Sequence, residues 1–426
     1  MDTTISRRDF AGLAGSTLAA PNVLGANDRV RAAFIGTANR GGQLIKAALP
    51  HKDVEIVALC DLDANALNKQ KAIIGSGAET YTDFRKVIDR KDIDAIVIAT
   101  PDHWHAIQTT WACRAGKDVY VEKPLSVTIH EGQRMVDVAR ETKRIVQVGT
   151  HRRSSVLYPK MKALIDSGEI GKVTVARAYR ITNMAPNGIG KSPDVDPPAG
   201  FDWDMWLGPR PKRGFRPTIH PYKFRWWTGY SSQIGNWGVH YFDAIRWVLG
   251  EDAPIACVAL GGKYAVDDDR TIPDTMEAVF ETAGGRLIIF GQYEASGVPA
   301  MYKGEFELRG TKGAIYAEEK SFEVVPEKGG QFQSPEPRTK PLGVETSEGD
   351  ATVKHMRNFL DCIKSRQRPN ADVEDGHKST TYSLLGQMAL STRQRIDYDP
   401  KSGRILNPTW ANDMLHYEYR APWVLG

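Results

Sequence analysis

From Arg29 onward, short apolar runs alternate with amphipathic stretches. Val30–Ile35 is a continuous apolar run and predicts a buried strand; the glycine turn at 36–42 then leads into a helix through Leu49. Val54–Cys60 predicts a second strand, Ala64–Ile74 a helix, Ile93–Ala99 a strand, and the stretch to Ala115 a helix. A strand at Asp118–Val121, a helix over Glu131–Thr142 and a strand at Ile145–Val148 complete the series. Strands separated by helices at this spacing specify an α/β fold with a doubly wound parallel sheet.

The pattern changes after residue 150. Val173–Tyr179, Ile255–Leu260, Glu277–Thr282, Arg286–Gly291 and Phe306–Arg309 predict strands divided by glycine or charged turns. Glu327–Asp350 is rich in Gly, Pro and charge, which predicts a surface loop. Val353, Met356, Phe359, Leu360 and Ile363 form one apolar stripe of a helix, and a further helix is expected over Gly376–Arg395. The tail ending Tyr419-Arg420-Ala421-Pro422-Trp423 is expected to pack on the body or on a neighbouring subunit.

Composition adds limits. With 426 residues, 41% hydrophobic and 25% charged, the chain can build two cores. The net charge of +4 is small and scattered, which argues against nucleic acid or a membrane surface as partner. Ser6-Arg7-Arg8-Asp9-Phe10, followed by a short apolar stretch from Ala11 to Leu24, forms a twin-arginine export signature with a cleavage site near Gly25 or Ala26. A disordered N-terminus with a chance arginine pair is the alternative. Export implies the twin-arginine translocation machinery as partner, a periplasmic or cell-surface location, and no stable membrane anchor after processing. Cys60, Cys113, Cys257 and Cys362 lie far apart without zinc spacing, so no metal is expected, and they are read as small buried apolar residues.

Candidate chemistry concentrates at predicted strand ends. A dinucleotide fingerprint spaces three glycines for a tight turn, a close approach to pyrophosphate, and helix–strand packing. Here the series is Gly36, Ala38 and Gly41, with Asn39 and Arg40 beside them at the start of a helix that can face phosphate. Asp61, at the end of the second strand, is placed to accept bonds from ribose hydroxyls and to repel a 2'-phosphate, which favours NAD over NADP. Alternatively, Asp61 or Asp63 caps the next helix. Glu122-Lys123-Pro124 closes a strand where open α/β sheets place their ligands. A solvated Lys123 paired with Glu122 is the plainer reading.

The glycine turn, Ala99-Thr100-Pro101 with nearby histidines, and Glu122-Lys123-Pro124 resemble the family of glucose-fructose oxidoreductase, inositol dehydrogenase and MocA (Gfo/Idh/MocA), over roughly residues 29 to 395. The resemblance implies a Rossmann domain followed by an α/β domain with a large, mostly antiparallel open sheet, and nicotinamide chemistry on sugars or cyclitols. The chain then divides into an export signal (1–26), an NAD(P)-binding domain (27–150), a substrate-binding and oligomerisation domain (151–396) and a tail (397–426). A homo-oligomer is expected.

The family's Asp-x-x-x-His unit supplies an acid/base histidine and its orienting carboxylate. His240 matches the histidine, but Asn236 stands at the carboxylate position, which weakens His240 as a base. A helix-facing His240 bonded to backbone is the alternative, and Asp243 either supplies charge or caps structure. In such a site Lys123 bonds the reacting oxygen of a secondary alcohol while His240 takes or relays its proton. Gln147 is expected to add a cofactor contact, with His103 and Trp104 near the nicotinamide. The 12 aromatics among residues 201–242 suit sugar faces, with His220, Arg225, Trp226 and Trp227 as candidate substrate contacts, although at least half of the aromatics are expected to build core.

Outside the cytoplasm a nicotinamide pool is absent, so an exported dinucleotide must stay bound and be regenerated in place. Three outcomes fit that constraint. They are an oxidoreductase, an NAD-dependent redox-neutral glycoside hydrolase that oxidises, eliminates, hydrates and reduces, and a non-catalytic carbohydrate-binding protein.

Overall fold

The computed structural model describes residues 29–75 and 77–426; the export signature at 1–26 lies outside the described residues. The first unit is a six-stranded, wholly parallel sheet of β1 (Val30–Ile35), β2 (Val54–Cys60), β3 (Glu79–Tyr81), β4 (Ala95–Ile98), β5 (Asp118–Val121) and β6 (Val146–Val148). Its order is β3-β2-β1-β4-β5-β6. The chain therefore reverses direction across the sheet between β1 and β4. That switch point opens a crevice at the carboxyl ends of these two strands. The short β3 carries no apolar run, so hydrophobic patterning does not reveal it.

The second unit is an eleven-stranded sheet. It comprises β7 (Val173–Asn183), β8 (Ala256–Gly262), β9 (Thr275–Glu281), β10 (Leu287–Tyr293), β11 (Ala295–Ser296), β12 (Phe306–Gly310), β13 (Gly313–Ala317), β14 (Ser321–Pro326), β15 (Leu342–Thr346), β16 (Ile396–Asp399) and β17 (Arg404–Asn407). Among its pairings only β7 with β10 is parallel. Alternation explains the single packed face: in β9, Met276, Ala278 and Phe280 are buried while their neighbours are half-exposed. This face packs on the helices Val239–Leu249 and Val373–Thr392.

Two expectations need correction. Residues 327–350 are not all loop, because β15 adds an edge strand there; its residues stay mostly exposed, which removes the apolar signal. The C-terminal stretch is also more than a tail, since β16 and β17 extend the second sheet.

Two segments of the second half return to the first unit. The stripe on helix Ala351–Ser365 buries Met356, Phe359 and Leu360 against Phe34, Val97 and Tyr120, covering one face of the parallel sheet. Trp423 then packs on the body rather than standing free: its ring lies edge-on to Trp104 at 4.7 Å and 6.0 Å from Phe84. All four cysteines are buried and free, as small apolar residues would be.

Candidate active site

The crevice holds a cleft lined from both units of the chain. Gly36, Ala38, Asn39 and Arg40 form one wall with Asp61, Thr100 and Pro101. The facing wall comes from the insertion between β7 and helix Val239–Leu249, through Phe201, Trp206, His220, Tyr222, Phe224 and Arg225. Trp206 and Phe224 belong to a separate aromatic core with Trp203, Phe215, Trp227 and Tyr230, which makes the insertion a packed body over the cleft.

The turn after β1 fits a pyrophosphate. Gly36 has φ +84°, and a Cβ on Gly41 would lie 1.9 Å from the Gly36 carbonyl oxygen, so both positions exclude side chains. Ala38 is extended (φ −70°, ψ 176°), a conformation that tolerates its methyl group. Helix Asn39–Ala48 starts with no side-chain cap and no acidic residue in its first turn, leaving its amides open to an anion.

Asp61 and Asp63 divide the two roles that the sequence left open. Asp63 caps helix Ala64–Ile74 by accepting from the Asn65 amide at 2.8 Å. Asp61 lines the cleft and accepts from the Thr37 amide at 2.6 Å and the Asp63 amide at 3.0 Å. Burial pushes its carboxyl upward, and these bonds oppose the shift.

Glu122-Lys123-Pro124 ends β5 beside this turn. Arg40 Nε donates to Glu122 at 2.8 Å, so the glycine turn and the lysine strand are tied by an ion pair. Burial opposes charge on Glu122, but Arg40 and Lys123 hold its carboxyl below the usual range. His105 reinforces the junction: its ring nitrogens face the Pro124 and Thr100 carbonyls at 2.8 and 3.0 Å. Lys123 Nζ donates to the Asn236 side-chain oxygen at 2.9 Å and to its backbone carbonyl at 3.0 Å. Burial brings the lysine down to about 8; Glu122 opposes the shift and Arg225 adds to it.

Asn236 therefore serves Lys123 and not His240. No hydrogen bond joins Asn236 to His240 among the described residues, and Ile234–Gly238 is a π-helical turn rather than the α-helix that the i, i+4 spacing assumed. His240 is buried, its Nδ1 lacks a hydrogen-bond partner, and no backbone bond holds its ring among the described residues. Burial, then the charges of Lys123, His151, Arg152 and Arg40, hold the imidazole well below its ordinary value. At neutral pH it is an unprotonated base.

Several predicted contacts lie elsewhere. Asp243 makes a buried ion pair with Arg153 at 2.8 Å and accepts from Ser379 at 2.7 Å, joining three elements of the second unit. Asp243→Ala is expected to lower stability by about 3–5 kcal/mol, because Arg153 is left buried without its counter-charge; equilibrium urea unfolding measures it. Gln147 is fully buried, donates to the His355 carbonyl at 2.8 Å and does not line the cleft. His103 lies beneath the insertion, bonded to the Trp206 carbonyl at 2.8 Å and lowered to about 3 by burial, while Trp104 does line the cleft. Trp227 is core and donates to the Thr218 carbonyl. Trp226 donates to buried Glu294 at 3.0 Å; His220 and Arg225 remain on the cleft wall.

His151 was not singled out in the sequence. It follows β6, at the carboxyl end of a parallel strand, so the placement rule that found Lys123 also applied to it. Its ring lies 5.4 Å from that of His240.

Comparison with known proteins agrees with this geometry. Residues 30–150 match the GFO_IDH_MocA description "Oxidoreductase family, NAD-binding Rossmann fold", and residues 155–425 match its "C-terminal alpha/beta domain". The chain is 23% identical over 370 residues to 1,5-anhydro-D-fructose reductase of Ensifer adhaerens, covering 86% of this chain and 98% of that enzyme. It is 37% identical over 235 residues to an inositol 2-dehydrogenase of Klebsiella pneumoniae, spanning 55% of this chain but only 58% of that protein. The WlbA dehydrogenase of Bordetella pertussis, solved with NADH and UDP-GlcNAcA, superposes with a TM-score of 0.64 at 18% identity, over 87% of this chain and 99% of that one. With two matched domains spanning the described fold, the chain belongs to the Gfo/Idh/MocA family of NAD-binding oxidoreductases.

Proposed function

We propose that the protein is an exported oxidoreductase that acts on a secondary alcohol of a sugar, glycoside or cyclitol, and that it keeps its nicotinamide cofactor bound through the cycle. The observation that carries this reading is Lys123, a partly buried ammonium fixed by Asn236 at 2.9 Å beside an unprotonated His240. The names of the reductase and the inositol dehydrogenases support the substrate class.

When bound, the nicotinamide accepts a hydride from the carbinol carbon or returns it. Lys123, protonated below about 8, donates to the reacting oxygen and stabilises the negative charge that develops there. His240 receives the hydroxyl proton, since burial and then the field of Lys123 keep its lone pair free. The aromatic insertion faces Gly36 and Asp61 across the cleft, which gives a bound dinucleotide contacts on two sides.

Asp61→Ser is expected to weaken NAD binding about tenfold or more while raising relative affinity for NADP, because a charged acceptor for the ribose is lost. Titration of both nucleotides into unfolded-and-refolded protein measures it.

The function is tested by adding myo-inositol, methyl glucosides and 4-nitrophenyl glycosides to the holoprotein and following absorbance at 340 nm. A lasting rise with a keto product is expected. Release of nitrophenol with unchanged NAD would replace this reading with the redox-neutral hydrolase. Tight sugar binding without either change would leave the non-catalytic binding protein.

A further inference from the structure

His240 can accept a proton but is poorly placed to keep it. It is buried, it lacks a carboxylate partner, and Lys123, His151, Arg152 and Arg40 all oppose its positive charge. A base in that field must pass its proton to a group where the charge is compensated.

The neighbouring ring meets that need. His151 stands edge-on to His240, with ring centres 5.4 Å apart and planes at 70°. The Nδ1 atoms of both rings are buried without hydrogen-bond partners. On its other side, His151 Nε2 faces Glu319 Oε1 at 3.5 Å, in the turn between β13 and β14. Glu319 is held down to about 2 by its bond to His151, against the opposing effect of burial, so it is a carboxylate throughout the working range. The His151 charge also reaches Glu122 at the end of β5 and His355 on helix Ala351–Ser365; Arg152 is its chain neighbour.

We propose that His151, positioned and charge-balanced by Glu319, is the second proton carrier of this site and replaces the carboxylate that Asn236 withholds from His240. The assignment rests on the oxidoreductase reading. In the oxidative half-reaction the substrate O–H bond breaks and its proton goes to one ring nitrogen of His240. The N–H bond at the other nitrogen then breaks, and that proton passes to Nδ1 of His151 once the two rings turn toward each other, since neither Nδ1 is bonded in the resting arrangement; the imidazolium so formed is balanced by Glu319. The C–H electron pair leaves as hydride to the nicotinamide, and reduction reverses every step. Proton and hydride thus stay in one enclosed site between half-reactions, as a captive cofactor requires.

Two readouts on the holoprotein test the pairing. In ¹⁵N-histidine NMR spectra, Glu319→Gln is expected to move the His151 ring resonances while those of His103 stay fixed. In nicotinamide reduction with myo-inositol or methyl β-D-glucopyranoside, His151→Asn is expected to slow turnover about 10²-fold with nucleotide retained. Glu319→Gln is expected to slow it about tenfold and to move the acid limb of the pH profile to lower pH, with Glu319→Asp restoring both. Wild-type rates and profiles in His151→Asn and Glu319→Gln would overturn the proposal. If none of the sugars reduces the nucleotide, the oxidoreductase reading fails, and the NMR arm still decides the pairing: His151 ring resonances unchanged by Glu319→Gln would refute it.

Discussion

Lys123→Met is expected to reduce turnover about 10²–10³-fold while the purified protein retains its nucleotide. Methionine matches the four-atom apolar stem of lysine and lacks only the terminal donor, so the effect isolates the ammonium. The loss falls on kcat, because the bond to the reacting oxygen strengthens as negative charge develops there. The same group sets the alkaline limit. Lys123 loses its proton as pH rises through about 8, so the oxidative rate is expected to fall above that value. Asn236→Asp would set a carboxylate where an amide oxygen now lies 2.9 Å from Nζ. An opposite charge there favours the ammonium, which moves this limb to higher pH. Unchanged activity in Lys123→Met, or a limb unaffected by Asn236→Asp, would remove Lys123 from the chemistry.

Gly41→Ala is expected to empty the nucleotide site and to cost about 1–3 kcal/mol of stability. The added Cβ would sit 1.9 Å from the Gly36 carbonyl oxygen and 2.8 Å from its carbonyl carbon, both backbone atoms that cannot rotate away. Relief requires helix Asn39–Ala48 to shift from β1, carrying with it the open amides that face phosphate. Ala38→Gly provides the contrast, since Ala38 is already extended and its methyl group meets no such limit. Nucleotide content after gel filtration, read by absorbance and mass spectrometry, separates the two variants.

Much of this site was legible because its signals are local. A strand end, a glycine turn and Glu122-Lys123-Pro124 each lie within a few residues, and the parallel order brings them to one crevice. What sequence could not supply was the facing of side chains. The Asn236–His240 spacing predicted a helical pair, but the segment is a π-helical turn and Asn236 bonds Lys123. Gln147 ends an apolar strand as predicted, yet β6 directs it toward the His355 carbonyl. Asp243 found its counter-charge in Arg153, 90 residues earlier, a contact with no spacing rule. The stripe of Met356, Phe359 and Leu360 marked a helix correctly but could not say which sheet it would cover. The aromatic stretch held both expected uses: Trp227 is core, while Trp206 and Phe224 are core and cleft wall at once.

The central claim is that the cleft beside the Glu122-Lys123-Pro124 strand end holds a nicotinamide dinucleotide. The most direct measurement is to purify the protein without added cofactor, denature it, and identify the released small molecules by mass spectrometry. The expected result is NAD at close to one molecule per chain. Protein that releases no nucleotide, and that binds neither NAD nor NADP when these are added, would contradict the account.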